Sequence, residues 1–178
     1  PQHPAGDDAL AQAVRAHLPP LLILCAGLGC AKEQPPLPRE ASQVIRDLSM
    51  TQTTAGQRSW ALRSPSATLS LDGSSRLDRP VMEFYRDGKH ASTAQARFAD
   101  VPSGSQNVRL SGGVVIRSKG EKSVLRTEDM DYSASEAKFR TDGAVIVERE
   151  GAVLRGRGLV ADSALSEIRI RHQETRIQ

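Results

Sequence analysis

From Asn107 to Asp162 the chain repeats itself, and that repeat constrains the fold more than any other feature. Val108, Leu110, Gly112, Val114 and Ile116 alternate with Arg109, Ser111, Gly113, Val115 and Arg117. Phe139, Thr141, Gly143, Val145 and Val147 alternate in the same way with Arg140, Asp142, Ala144, Ile146 and Glu148. Gly112 and Gly143 stand 31 residues apart, and the same offset lays Val114 on Val145 and Leu125-Arg126-Thr127 on Gly156-Arg157-Gly158. A two-residue period marks a strand with one dry face and one wet face. Its recurrence at near thirty residues means that one β unit is stacked on the next.

The rest of the chain carries the same punctuation. Thr53 to Gln57 reads as a turn, followed by Trp60-Ala61-Leu62 and Ala67 to Leu71. Asp72-Gly73 and Asp87-Gly88 are turn dipeptides, the second closing the strand Val81 to Tyr85. Ala94 to Phe98 alternates as one further strand, and Ile168 to Arg171 as the last. Lys119-Gly120, Asp142-Gly143 and Glu150-Gly151 punctuate the repeat. Turns at roughly 8–12 residues are the spacing of an all-β sandwich or barrel. Ala41 to Met50 alone has helical spacing, through Val44, Ile45 and Leu48, and is short enough to be a first strand instead. No segment has the length and period of a crossover helix, which excludes an α/β fold.

Composition narrows the class. Of 178 residues, 38% are hydrophobic and 25% charged, as in a globular body, but only 3% are aromatic. The core is therefore built from Val, Leu, Ile and Ala, which suits a thin or hollow β body. The net charge of +3 is spread over many strands, without the basic cluster and interleaved aromatics that nucleic acid requires. An anionic membrane surface remains a compatible partner. Both cysteines, Cys25 and Cys30, precede the β region, and the four histidines are scattered, so neither a disulfide in the body nor a metal or other cofactor is expected.

Three segments follow from this: a leader over 1–30, a proline-rich tether over 31–41 and a β domain over 42–178. Leu18 to Gly29 is an apolar run of signal-peptide length, too short for the roughly 20 residues that span a bilayer. Gly27-Leu28-Gly29-Cys30 has the small residues before Cys of a bacterial lipobox, which makes Cys30 the candidate lipidation site. A non-lipidated signal peptide or a short retained anchor is the other reading. Lys32 to Arg39 holds three prolines and serves as a semi-extended spacer.

The order of motifs along the body is more specific than any one of them. It runs Trp60-x-Leu62, Val81-x-x-Phe84-Tyr85-x-Asp87-Gly88-Lys89, Thr93-Ala94-x-Ala96 and Leu110-x-Gly112-x-Val114-x-Ile116. It continues through Leu125-x-Thr127-x-x-Met130-x-Tyr132, Thr141-Asp142-x-x-Val145 and Gly156-x-Gly158-Leu159-x-x-Asp162. This series resembles the LptC family of lipopolysaccharide export proteins, and in part the OstA-like proteins LptA and the N-terminal domain of LptD. The resemblance implies an OstA-like β-jellyroll of stacked antiparallel strands, open at the ends, with a greasy trough for the acyl chains of lipopolysaccharide. It also implies periplasmic work at the inner membrane, with the chain membrane-anchored. The partners it implies are an inner-membrane ABC transporter of the LptBFG type and an LptA-like bridge protein. The family's usual anchor is a transmembrane helix, and the lipobox-like leader departs from it.

The apolar registers supply the candidate trough. Inward positions are Trp60, Leu62, Leu69, Val81, Phe84, Phe98, Val108, Leu110, Val114, Ile116, Leu125, Tyr132, Phe139, Val145 and Val147. For any one of them plain core packing is the simpler role. The trough reading takes Trp60, Leu62, Phe84, Phe98, Leu110, Val114, Ile116, Leu125, Phe139, Val145 and Val147 as lipid-binding. Small and polar residues on the same face (Ala94, Ala96, Gly112, Thr127, Thr141, Gly143, Gly156 and Gly158) argue for space between the sheets, unless the glycines mark bulges. Ile168 and Ile170 lie on a final strand with no helix to cover it, an edge that can recruit a partner strand, as the resemblance implies.

An enzyme is not expected. Glu128, Asp129 and Asp131 form an acidic group that reads as a solvated strand end, and there is no G-x-S-x-G elbow. The chain also lacks GxxxxGK[ST], so work for directional transport must come from a partner ATPase. Two other readings compete with the carrier. One is a structural or adaptor lipoprotein of the envelope that uses its edges and holds no lipid. The other is a polysaccharide-processing solenoid, disfavoured because two-residue turns cannot join parallel strands.

Overall fold

The computed structural model describes residues 42–174, and all eleven regular elements are strands. They are β1 (Gln43–Thr54), β2 (Gln57–Leu69), β3 (Ser75–Asp78), β4 (Val81–Arg86), β5 (Lys89–Gln95) and β6 (Phe98–Val101). The repeat region holds β7 (Val108–Ser118), β8 (Ser123–Ser133), β9 (Lys138–Arg149) and β10 (Ala152–Asp162), and β11 (Ile168–Glu174) follows. The leader, the tether and Cys30 lie outside the described residues. The segment that could have been a helix is β1.

Three hairpins close on two-residue turns with both central residues left-handed: Ala55-Gly56, Asp87-Gly88 and Glu150-Gly151. Such turns match the right-handed twist of the strands that they join. The 31-residue offset is the tandem of hairpins β7–β8 and β9–β10, as expected. Asp142-Gly143 is not a turn but lies inside β9. Trp60 to Leu69 is one strand rather than two, and it tolerates Pro65 because β2 pairs β4 through Arg63 and β3 only from Ser66. Opposite Pro65 on the other side is Asp47, itself left-handed, so the missing N–H falls where the ladder is already irregular.

All pairings are antiparallel and form a single sheet. From β2 to β7 the sheet divides, one route through β4 and β5 and the other through β3 and β6. Beyond β7 it continues through β8, β9, β10 and β11. Among the described residues β1 bonds only to β2 and β11 only to β10, so these two strands are the free edges of the roll.

A line of irregularities crosses the long strands at mid-length, at Gly112-Gly113 in β7, between Thr127 and Asp131 in β8 and at Gly158 in β10. Bulges sharpen twist and bend a strand. The bend shows in the β10–β11 loop, where the Ser163 N–H bonds to the Ala137 carbonyl just before β9, at 3.1 Å. Two residues on, the Leu165 carbonyl accepts from Arg149 Nη2 at the far end of β9, at 2.7 Å. A straight strand of that length would hold its ends roughly 36 Å apart, and this bridge reaches roughly half as far. The sheet is therefore folded over upon its own apolar face, the jellyroll expected for the chain. The expectation that Gly112 marks interior space is corrected: it is exposed, left-handed, and a Cβ there would meet Arg97 Cβ at 2.8 Å.

Candidate functional site

The folded sheet encloses one apolar cluster, and most of the trough residues expected from the registers meet in it. Trp60, Leu62, Phe84, Leu110, Val114, Ile116, Leu125, Phe139, Val145 and Val147 are all 0–2% exposed. Phe84 of β4 packs edge-on against Tyr132 and Phe139 of the β8–β9 hairpin, with ring centroids 4.8 and 5.1 Å apart. Tyr132 and Phe139 are 5.2 Å from each other. Three rings across the two halves make this the tightest tie between them, in the geometry that aromatic quadrupoles favour.

Phe98 is the exception and a correction. It is only half-buried, on the outer face, with the guanidinium carbons of Arg76 and Arg97 4.8 and 5.5 Å from its ring centroid. Ala94 to Phe98 is not one strand: β5 ends at Gln95 and β6 starts at Phe98, and the link between them shifts the phase by one residue. That slip turns every later side chain over, so Ala99 and Val101 point inward. Val81 and Leu69 are likewise only half-buried, and Met82 takes the inward place in β4. Met82, Met130, Leu159 and Leu165 belong to the core and were missed. Register shifts against β7 and β9, each of which holds an extra residue there, reset the phase of β8 and β10, and a local alternation rule cannot count across them.

Side chains packed to zero exposure leave no free surface for an acyl chain, so the interior is closed in this structure. It is incompletely covered along its two free edges. Leu48 and Met50 of β1 and Ile168 and Ile170 of β11 pack against the cluster while only partly buried. Leu154, on the inner side of β10 opposite Val147, is 39% exposed and lies one residue beyond the last described pair of β10 with β11, Arg155 and Glu174. Sequence reasoning found Ile168 and Ile170; it left Leu48 and Met50 in a segment open between helix and first strand, and it did not single out Leu154 of β10.

At one end a cleft of about 620 Å³ opens on Trp60, Tyr85, Tyr132 and Ala134. Trp60 Nε1 at its wall donates to Gln52 Oε1. Burial pushes the Tyr132 phenol up to about 12, so it stays neutral at physiological pH. Arg86, Glu136, Lys138 and Asp162 ring the cleft. Arg140 beside Glu136 holds that carboxyl below its usual range. Burial alone would raise Asp162, but the Ser166 hydroxyl, the Glu167 N–H and Arg86 outweigh it and leave its pKa lowered.

The acidic group of β8 is structural. Arg109 lies 3.6 Å from Asp129 and 3.9 Å from Asp131, and all three are at least 41% exposed at the side chain. No helix among the described residues is long and apolar enough to cross a membrane.

Comparison with known proteins agrees with this architecture. No curated protein matches the chain significantly. A family model described as "Lipopolysaccharide-assembly, LptC-related" matches residues 23–177, which takes in every strand of the jellyroll. The chain belongs to the LptC-related family of lipopolysaccharide-assembly proteins.

Proposed function

We propose that the apolar inner face of this jellyroll receives the acyl chains of lipopolysaccharide where it is partly uncovered, beside the edge strands β1 and β11. Family membership makes the chain a periplasmic component of lipopolysaccharide transport, and the family works in association with the inner membrane. In this reading lipid arrives from an LptBFG-type transporter and leaves to an LptA-like protein, which pairs with the exposed edge of β11 at Ile168 and Ile170. The observation that carries it is a single apolar face, continuous across the sheet, whose large side chains on the two free edges, Leu48, Met50, Ile168 and Ile170, stay partly uncovered.

Magnitudes make a closed interior compatible with a carrier. Each methylene withdrawn from water is worth about 0.8 kcal/mol, so a dozen bring roughly 10 kcal/mol. That is of the order of the whole stability of a domain, about 5–15 kcal/mol. Arriving chains can therefore part the two halves and replace the contacts that they break. A trough that re-closes behind its cargo binds no chain deeply, which keeps transfer to a similar trough nearly level.

The tight core also favours a second reading, an envelope adaptor that works through its edges and holds no lipid. Photo-crosslinking residues at Val114, Val145 and Phe84 separate the two, with outward Phe98 as control. The carrier predicts lipopolysaccharide adducts at the three inner positions and none at Phe98. Adducts at none of the inner positions leave the adaptor.

A further inference from the structure

One end of the folded interior is not apolar. Ser92 of β5, Ser118 of β7, Ser123 of β8 and Arg149 of β9 are consecutive cross-strand partners, so they form one row across four strands. The three serines are 0–5% exposed. A row of hydroxyls facing inward is costly unless each is bonded, and Arg149, its side chain 34% exposed, closes the row at the rim. The β10–β11 loop bonds part of it: Ser92 Oγ donates to the Ser163 carbonyl, and Arg149 Nη2 to the Leu165 carbonyl at 2.7 Å. Ser118 Oγ accepts from the Glu121 N–H at 3.2 Å, and Glu121 lies 2.8 Å from Arg149. Ser123 Oγ and Arg149 Nε are buried with no partner.

The loop that covers this row is a partition. Asp162 and Ser163 line the cleft of about 620 Å³ over Trp60 and Tyr132, whereas Ala164 lines a second cleft of about 250 Å³ that reaches Ser118. Arg86 borders both, and Lys89, His90, Asp87 and Glu121 complete the second. Leu165, fully buried and left-handed at φ +59°, is held in a conformation that costs a branched side chain free energy. Arg86 and Ser166 clamp the loop through Asp162.

Resting on the carrier reading, we infer that the row Ser92–Ser118–Ser123–Arg149 is a head-group subsite and that the loop 163–167 is its displaceable stopper. Its two unpartnered atoms, Ser123 Oγ and Arg149 Nε, can both donate, so a ligand that satisfies them must bring acceptor oxygens, as a phosphorylated sugar does. The Ser163 and Leu165 carbonyls hold the places that such oxygens would take. With the loop displaced, the cleft over Trp60 and Tyr132 and the cleft at Ser118 join. An amphiphile would then lie with its chains toward Trp60 and Tyr132 and its phosphorylated head on the serine row.

The test uses the full chain and two probes, the phosphorylated acyl-glucosamine disaccharide that anchors lipopolysaccharide and its dephosphorylated counterpart. Wild-type protein is expected to bind the phosphorylated form at least about tenfold more tightly, the scale of one or two charge-assisted hydrogen bonds. Ser123→Ala should cut that preference severalfold while leaving affinity for the dephosphorylated form unchanged, and Arg149→Gln, which also frees the Leu165 carbonyl, should cut the ratio between the two forms. Ser123→Ala removes a hydroxyl that has no partner, so its melting temperature should hold or rise, which separates lost discrimination from lost fold. Amide exchange at Leu165 should quicken when the phosphorylated probe binds. Equal affinity of the wild type for both probes, or full preference kept in both variants, overturns the subsite alone. Exchange at Leu165 that slows or stays constant overturns the stopper. If inorganic phosphate alone displaces the loop, the site is for a free anion and not a lipid. If neither glycolipid binds, the carrier reading falls and takes the subsite with it.

Discussion

At the scale of single residues the fold is held by a few large side chains, since aromatics are scarce. Phe139 is fully buried between Phe84 and Tyr132, and truncating it leaves a void between the two halves of the sheet. Phe139→Ala should destabilise the body by about 3–5 kcal/mol, read as a lowered urea midpoint. Phe98→Ala, outside the core, should cost far less despite removing the same side chain, and equal losses would contradict the placement of the two rings. That contrast also shows the limit of residue-level reading. Both phenylalanines sit in alternating stretches, and both look like core by size. Only the one-residue slip between β5 and β6 separates them, and that slip belongs to the chain's path.

At the scale of elements, the proposed function places partner capture on β11 and access on its loop, and both can be tested apart from the core. Gly156 lets β11 lie close on β10, and a Cβ there would stand 2.4 Å from the His172 carbonyl oxygen and 2.5 Å from Ile170 Cγ2. The first neighbour is backbone and cannot turn aside. Gly156→Ala should therefore loosen β11 and weaken capture of an LptA-like partner, measured by pull-down, while β7–β9 keep their amide protection. Intact capture would mean that β11 is not the docking edge. Loop closure should respond to acid. Asp162 has a folded pKa below its ordinary 3.8, so its bonds stabilise the loop above pH about 4 and are lost as pH falls through the lowered value. Amide exchange at Leu165, corrected for its intrinsic pH dependence, should rise over that window, and Asp162→Asn should abolish the response. A response that survives the substitution assigns it to another group.

At the scale of the whole molecule, the order in which the roll opens follows from its topology. The strands β7, β8 and β9 are paired on both sides and carry many of the buried side chains, whereas among the described residues β1 and β11 are each paired on one side and carry none. Native-state hydrogen exchange should therefore be fastest in β1 and β11 and slowest in β7–β9. Lipid loading should raise exchange at the two edges before it touches the centre. Uniform exchange across all strands would mean that the roll opens only by global unfolding, which no carrier could use.

The sequence by itself determined the class of fold, the hairpin tandem, the turns at Asp87-Gly88 and Glu150-Gly151 and most of the core. All of these follow from local rules of period and turn chemistry that need no knowledge of the rest of the chain. The motif order was enough to point to the family. Tertiary structure alone decided which way Phe98, Val81 and Gly112 face, that Leu48, Met50 and Leu154 stay partly exposed toward the two edges of the sheet, and that four strands align their polar residues beneath one loop. Those facts depend on bulges and cross-strand registers between residues far apart in sequence. Each bulge resets the phase of alternation, and a pattern read along one strand carries no record of what its neighbours place beside it.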